Sequence, residues 1–282
     1  MASEAQFAGA TLAESLLGGG EDIGQVDGLA RGHHRRSVIA FVGMAFEARI
    51  AAGPGVRVFS RESRRELAKA VESAARHDYR GIISFGVAGG LALGLRPGDW
   101  VVASAIVATD VTRATDAMWS RRLCDTIEGA SYAPIIGVDA PIAEPATKRE
   151  LRRTTGAAAV DMESHVVARL AAAHGLAFAA LRVIVDPADR AIPPAALVGM
   201  GGGARADGAA VLRDLVARPA QLSRLVRISL DAFIARSEML RVRRLLGPHF
   251  GLTELGHREL AQSGSPGSDL APSDVAPYRA PA

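Results

Sequence analysis

The stretch from Ala157 to Asp186, AAAVDMESHVVARLAAAHGLAFAALRVIVD, does most to limit what this chain can fold into. It reads strand, helix, strand, and each strand delivers a carboxylate at its C-terminal end. Ala157–Val160 runs into Asp161, Met162 and Glu163, and Ala177–Val185 runs into Asp186. Val166, Val167 and Leu170 share one face of the expected helix, and counting back by three, four and seven puts Glu163 on that face. A carboxylate turned inward is unfavourable unless a partner or a ligand uses it.

The same alternation recurs along the chain. Val38–Gly43 is an apolar run suited to a central strand, followed by a helical turn over Ala45–Ala52 with Glu47 near its start. Ser63–His77 has helical spacing, and Gly81–Phe85 is a strand that opens into a turn over Gly86–Gly90. Trp100–Ala108 is a long apolar strand, Ile135–Val138 a short one, and Pro145–Thr154 a helix. Residues 109–133 are polar and irregular, the pattern of a surface excursion over a site. Strands alternating with helices predict an α/β sheet covered on both faces, with ligands bound beyond the carboxyl ends of the strands. Glu47, the Gly86–Gly90 segment, Glu163 and Asp186 all fall at such ends.

Composition divides the rest. It predicts a loose extension over residues 1–36, the main domain over 37–207, a basic amphipathic helical region interrupted at Pro219 over 208–246, and a Gly-, Ser- and Pro-rich disordered tail over 247–282. The net charge of +3 is modest and its basic residues cluster towards the two ends, which argues against a nucleic-acid partner. The single Cys124 excludes an internal disulfide and suits a reducing cytoplasm. His165 and His174 lack metal-ligand spacing and no G-x-S-x-G elbow is present, so neither metal catalysis nor serine acylation is expected, and no cofactor. Arg35-Arg36 ahead of Ser37–Phe46 imitates an export signal but lacks a small-residue cleavage site; it is read as a first buried strand.

Several candidate residues have a structural reading beside the chemical one. Glu47 suits a first-turn glutamate favoured by the helix dipole as well as a site acid. Asp161 suits a helix cap, and Asp186 ahead of proline suits a turn. Arg182 inside an apolar strand requires a carboxylate, with Glu47 and Glu163 as candidates. The segment GVAGG is not a G-x-G-x-x-G fingerprint, although its glycines let a ligand approach the backbone.

Taken together, VGMAFE, FGVAGGL with a following Gly-Asp, VDME and RVIVD resemble the purine nucleoside phosphorylase and methylthioadenosine/adenosylhomocysteine nucleosidase superfamily over about Val38 to Arg190. DMESHVVARLAAAHGL, ALRVIVDPADRAIPPAALVG and the Arg-rich C-terminal region are similar to its hopanoid-associated phosphorylase branch, which acts on adenosylhopane. The resemblance implies a single-domain, three-layer α/β/α fold with a central mixed twisted sheet. It also implies that Asp186 protonates purine N7, Glu163 holds the ribose hydroxyls and Met162 packs on the sugar. By the same likeness Glu47 activates the attacking water, Arg182 orients the local carboxylates, and the backbone of Val87, Ala88 and Gly89 lines the sugar side, with Asp161 counted among the substrate-binding residues. A homo-oligomer is implied as well.

Two departures bear on the reaction. Phosphorylases of this resemblance carry Arg where Glu47 stands, and a further Arg and Ser where this chain has Ser84 and Val87. An anionic Glu47 would repel phosphate, which favours hydrolysis over phosphorolysis. Val185 stands where the family has a serine before the aspartate, loosening the expected hold on Asp186. From Val211 to Leu246, Leu212, Leu215, Leu222, Leu225, Val226, Phe233, Ile234, Leu240 and Leu245 form an apolar stripe beside many arginines. That stripe suits either a helix covering the sheet or a surface docking on anionic lipid. The expectation is a cytoplasmic nucleosidase, peripheral to the inner face of the membrane, that takes an adenosyl lipid or a soluble nucleoside.

Overall fold

Val38, Ala40 and Val42 face one side of the first strand, Ile39 and Phe41 face the other, and all five are buried. A strand apolar on both faces belongs inside a sheet covered on both sides. The structure, a computed structural model, describes residues 38–60, 64–72, 79–109, 111–192 and 222–252. In it β1 (Val38–Val42) lies between β2 (Val56–Ser60) and β3 (Gly81–Gly90), parallel to both.

Three further helices and five strands complete the sheet and its first coverings. They are β4 (Trp100–Val107), β5 (Thr112–Ala114), α3 (Ala117–Thr126), β6 (Ser131–Gly137), α4 (Pro145–Thr155), β7 (Ala159–Asp161), α5 (Ser164–Ala173) and β8 (Ala177–Asp186). Strand β3 pairs in parallel with β8, and its last two residues pair with β7 in the antiparallel sense. Strand β8 runs antiparallel to β4, β4 parallel to β6, and β6 parallel to β7. Five strands, β3, β8, β4, β6 and β7, thereby close on themselves, with β1 and β2 extending from β3 and β5 from β4.

Helices cover both faces. Leu67 and Val71 of α2 (Arg64–Glu72) and Val167, Ala168 and Ala171 of α5 pack with Ile39 and Phe41. On the other face Ile50 and Ala51 of α1 (Ala45–Ala51), Trp119 and Leu123 of α3, and Ala235, Met239, Val242 and Leu246 of α6 (Leu222–Leu246) pack with Val38, Ala40 and Val42. The result is the expected mixed α/β domain around a mixed sheet.

Several local expectations are corrected. Gly86–Gly90 is not a turn; it continues β3, whose backbone pairs with β8 as far as Gly89. Val56–Ser60 is a strand that sequence pattern did not single out. Residues 109–133 are no excursion over the site. Asp116 caps α3 through Trp119 N–H, Trp119 and Leu123 are buried, and the Asp116 N–H bonds Phe178 O at the start of β8, the opposite end from Asp186.

The C-terminal segments also differ from expectation. The packing face of α6 is Asp231, Ala235, Met239, Val242 and Leu246; of the predicted stripe, Val226, Phe233, Ile234 and Leu245 are exposed and Leu240 is half-buried. The fold runs past residue 247, because Pro248–Gly251 makes a tight turn and buries Phe250. The 1–36 extension, Pro219, the stripe before Leu222 and the tail from residue 253 lie outside the described residues.

The placement of Trp119 yields a stability test. Its indole N–H donates to Phe250 O at 2.8 Å and its ring is 2% exposed. Trp119→Ala should cost about 3–5 kcal/mol in urea unfolding, through a cavity and an unpaired carbonyl. A loss within about 0.5 kcal/mol, the range of surface changes, would mean that the segment is peripheral after all.

Candidate active site

Strand β3 is the floor on which the acids assemble. Along it Ser84, Gly86 and Ala88 are buried, while Val87 and Gly89 are partly open. The register sets Gly86 beside Arg182 and Val87 beside Val183; a bulge then skips Val185 and sets Gly89 beside Asp186. Such a bulge re-aims the side chain that follows it.

Glu47 reaches this floor from the first turn of α1. One carboxylate oxygen, Oε2, accepts the N–H groups of Gly43 and Met44, each at 2.8 Å; Oε1 accepts the Val87 N–H at 2.8 Å. The Met44 bond is the half of a capping box that a glutamate at this helical position supplies. The structural and the site reading of Glu47 therefore describe one geometry. The side chain is 1% exposed. Burial, reinforced by the negative charge of Glu163, raises its pKa from 4.5 to about 7 against the opposing pull of Arg182 and the N–H groups of Val87 and Met44.

Arg182 is fully buried in β8. Its Nη2 donates to Ser84 Oγ at 2.6 Å and Ser164 Oγ at 3.2 Å, pairs with Asp161 Oδ2, and lies 3.7 Å from Glu163 Oε2. The close carboxylate is thus Asp161 rather than Glu47 or Glu163. Asp161 is not the N-cap expected of it, a position that Glu163 takes, but it accepts the Ser164 N–H, the first of α5, at 3.1 Å while pairing with Arg182. Burial opposes the charged guanidinium, but Asp161, Glu163 and Glu47 together hold its pKa above the ordinary value. Among the described residues Nε and Nη1 of Arg182 have no hydrogen-bond partner.

Glu163 is the residue before α5 rather than part of a helical face. It turns its carboxylate towards the β1–α1 turn, where a Cβ at Gly43 would sit 2.9 Å from Glu163 Oε1. Met162 is half-buried beside it. Asp186 lies at the other end of the floor, with Oδ2 3.5 Å from where a Gly89 Cβ would be. Burial raises its pKa; Lys148 and Arg190 pull it down and Asp231 pushes it up.

The structure thus gathers Glu47, Arg182, Asp161 and Glu163 into one cluster and sets Asp186 against the same strand. Sequence reasoning missed Lys148, whose Nζ bonds Asp186 Oδ2 at 2.6 Å. The available signal was rarity: Lys69 and Lys148 are the only lysines in a chain otherwise cationic through arginine. It also missed Ser164, which has no signal beyond its place after Glu163.

A family model described as the phosphorylase superfamily matches residues 63–219, more than half of the sequence. The chain belongs to the phosphorylase superfamily. It is accordingly an enzyme of the N-glycosyl hydrolase or glycosyltransferase class with nucleoside chemistry. Among solved structures this superfamily member is similar to futalosine hydrolase of Helicobacter pylori, at 16% identity and TM-score 0.53, covering 76% of this chain and 97% of that one. It is also similar to 5′-methylthioadenosine/S-adenosylhomocysteine nucleosidase of Helicobacter pylori, at 14% identity and TM-score 0.51, covering 76% and 99%. At these identities the likeness is one of fold. No curated protein sequence matches.

The Glu47 carboxyl predicts a pH signature. Its folded pKa of about 7 exceeds its ordinary 4.5, so its contribution to stability is full below pH 4.5 and is lost as pH rises through about 7. Urea unfolding from pH 4.5 to 8 should show wild type losing about 3 kcal/mol more across that window than Glu47→Gln. Parallel pH profiles for the two proteins would show that Glu47 is not held protonated.

Proposed function

We propose that this phosphorylase-superfamily enzyme is a nucleosidase that hydrolyses the N-glycosidic bond of an adenosyl lipid, adenosylhopane in hopanoid biosynthesis, and releases adenine. The observation that carries hydrolysis is Glu47. Its carboxylate already takes the N–H groups of Gly43, Met44 and Val87, the donors that an incoming phosphate would need at this floor. A second anion there would be repelled. A water molecule suits the place better: it can donate to Glu47 and accept from the Arg182 N–H groups that no described residue uses.

In this reading Glu47 is the base. A carboxyl group with a pKa of about 7 accepts a proton efficiently at neutral pH. Water oxygen bonds the anomeric carbon as the bond from that carbon to the purine breaks. Asp186 gives its proton to N7, Glu47 takes one from the water, and the departing adenine leaves neutral. Glu163 holds the ribose hydroxyls, and its charge favours the cationic sugar of the transition state. Met162 packs on the sugar, and the backbone of Val87, Ala88 and Gly89 lines its other side. Asp161 keeps Arg182 charged and aimed.

The lipid substrate is supported by the sequence resemblance and by the surface next to Asp186. Arg190, four residues on, pairs with Asp231 of α6 at 2.6 Å, and Leu230, Phe233 and Ile234 around Asp231 are exposed. A polycyclic tail leaving the site would meet these side chains. Among the described residues no helix is long and apolar enough to cross a membrane.

The test is release of the free purine base, adenine from adenosylhopane in detergent, methylthioadenosine and adenosylhomocysteine and hypoxanthine from futalosine, each with and without phosphate. Phosphate-independent release from adenosylhopane, in preference to the others, is expected. Release that requires phosphate and forms a sugar phosphate would establish phosphorolysis instead. Faster turnover of the soluble nucleosides would move the assignment to one of them, and tight purine binding without release would mark a binding module. Asp186→Asn and Glu47→Gln should each lower kcat about 10²–10⁴-fold, the usual contribution of general acid–base catalysis.

A further inference from the structure

Helix α4 covers the outside of the sheet, and the one residue it fully buries is Lys148. This is an unfavourable place for a cation. Lys148 lies in the first turn, where the helix dipole disfavours positive charge, and its side chain is 0% exposed. All three ammonium protons have acceptors: Asp186 Oδ2 at 2.6 Å, Pro187 O at 2.9 Å and Arg190 O at 3.0 Å. A tripod of this shape suits a tetrahedral ammonium and not a planar guanidinium. That accounts for lysine here in a chain that otherwise relies on arginine.

We propose that Lys148 is a positioning residue for Asp186: it fixes Oδ2, ties the 186–190 segment around the acid, and leaves Oδ1 to meet the leaving base. The inference rests on the reading of Asp186 as the acid that protonates the purine. Among the described residues nothing bonds Oδ1.

The charges facing Asp186 are Lys148 from α4, Arg190 from the following segment and Asp231 from α6; β3 presents only the backbone of Gly89. Lys148 is the strongest of them in opposing protonation. Losing it should let Asp186 keep its proton to higher pH by about one to three units, the effect of an opposite charge at contact.

The test uses the full chain with its two lysines labelled at ¹⁵Nζ. Lys69 is exposed and serves as the internal reference. The Lys148 signal, through its contact with Oδ2, should shift in position as Asp186 titrates and lose that response in Asp186→Asn. In Lys148→Met the alkaline limb of the kcat profile should move up by the same one to three units, with kcat falling about tenfold or more and KM little changed. Lys148→Arg, which keeps the charge but not the tripod, should leave the limb near its wild-type position and still lower kcat. A Lys148 signal indifferent to Asp186→Asn, or a Lys148→Met enzyme with the wild-type limb and kcat, would overturn the inference. Should Lys148→Met not fold, the wild-type titration decides. Absence of nucleoside cleavage by wild type would sink the functional reading instead, and the lysine signal would still report whether the pair exists.

Discussion

A guanidinium sealed inside a β-strand governs how this enzyme is put together. Arg182 is sealed from bulk solvent, so its charge must be met inside the protein, and an unmatched buried ion costs several kcal/mol. Meeting it draws Asp161 from the end of β7, Ser84 from β3, and Ser164 from the start of α5, with Glu163 just beyond bonding distance. Gly86 is part of the same solution. A Cβ there would fall 2.5 Å from Glu47 Oε1 and 2.6 Å from Arg182 Nη1, so a side chain would push the acid and the arginine off the strand. Glycine at position 86 is explained by this crowding.

The charge balance around Arg182 then decides the protonation of the site. Three carboxyl groups, Asp161, Glu163 and Glu47, face one buried cation. Two negative charges in excess cannot all be held in a medium of low polarity. The group that takes up a proton as pH falls below about 7 is Glu47, whose three N–H donors do not fully compensate its burial. Asp186 stands outside this balance because Lys148 is its own cation. Two acids on one strand floor are thus tuned by different partners, the condition under which one can act as acid and the other as base.

How much of this was legible in the sequence depends on the range of the interaction. Runs such as Val38–Val42 and Ala177–Asp186 were readable because burial on both faces leaves an uninterrupted apolar signature. Arg182 was readable as a buried charge in need of a carboxylate, but its partner was not. Glu47 and Glu163 were expected, and Asp161 is the one in contact, because a pairing set by strand register between β7 and β8 through β3 has no local pattern. The same holds for residues 109–133. Their polar look comes from the exposed sides of β5 and α3, while Trp119 and Leu123, spaced by four, carry the buried side. Gly86–Gly90 was misread as a turn because glycine usually marks one; here it marks close approach of side chains to an extended backbone.

The C-terminal helix belongs to the site mechanically, although the superfamily match ends at residue 219, before α6 begins. Asp231 near its start holds Arg190, which follows Asp186 and whose carbonyl also receives Lys148. Arg243 near its end donates to Ala51 O at 3.0 Å, the last residue of the helix that carries Glu47, and stacks over Phe250 at 4.6 Å. One helix therefore holds both the segment after Asp186 and the helix bearing Glu47. Burial lowers the pKa of Arg243, so its carbonyl bonds and the aromatic face have to hold a charge that no carboxylate among the described residues neutralises. A helix that served only to present an apolar stripe to lipid would have no need of such inward-facing charges. Its buried Asp231 and Arg243 make α6 a strap that fixes the separation of the two acids, and the apolar residues it leaves outside are carried at a constant place beside them.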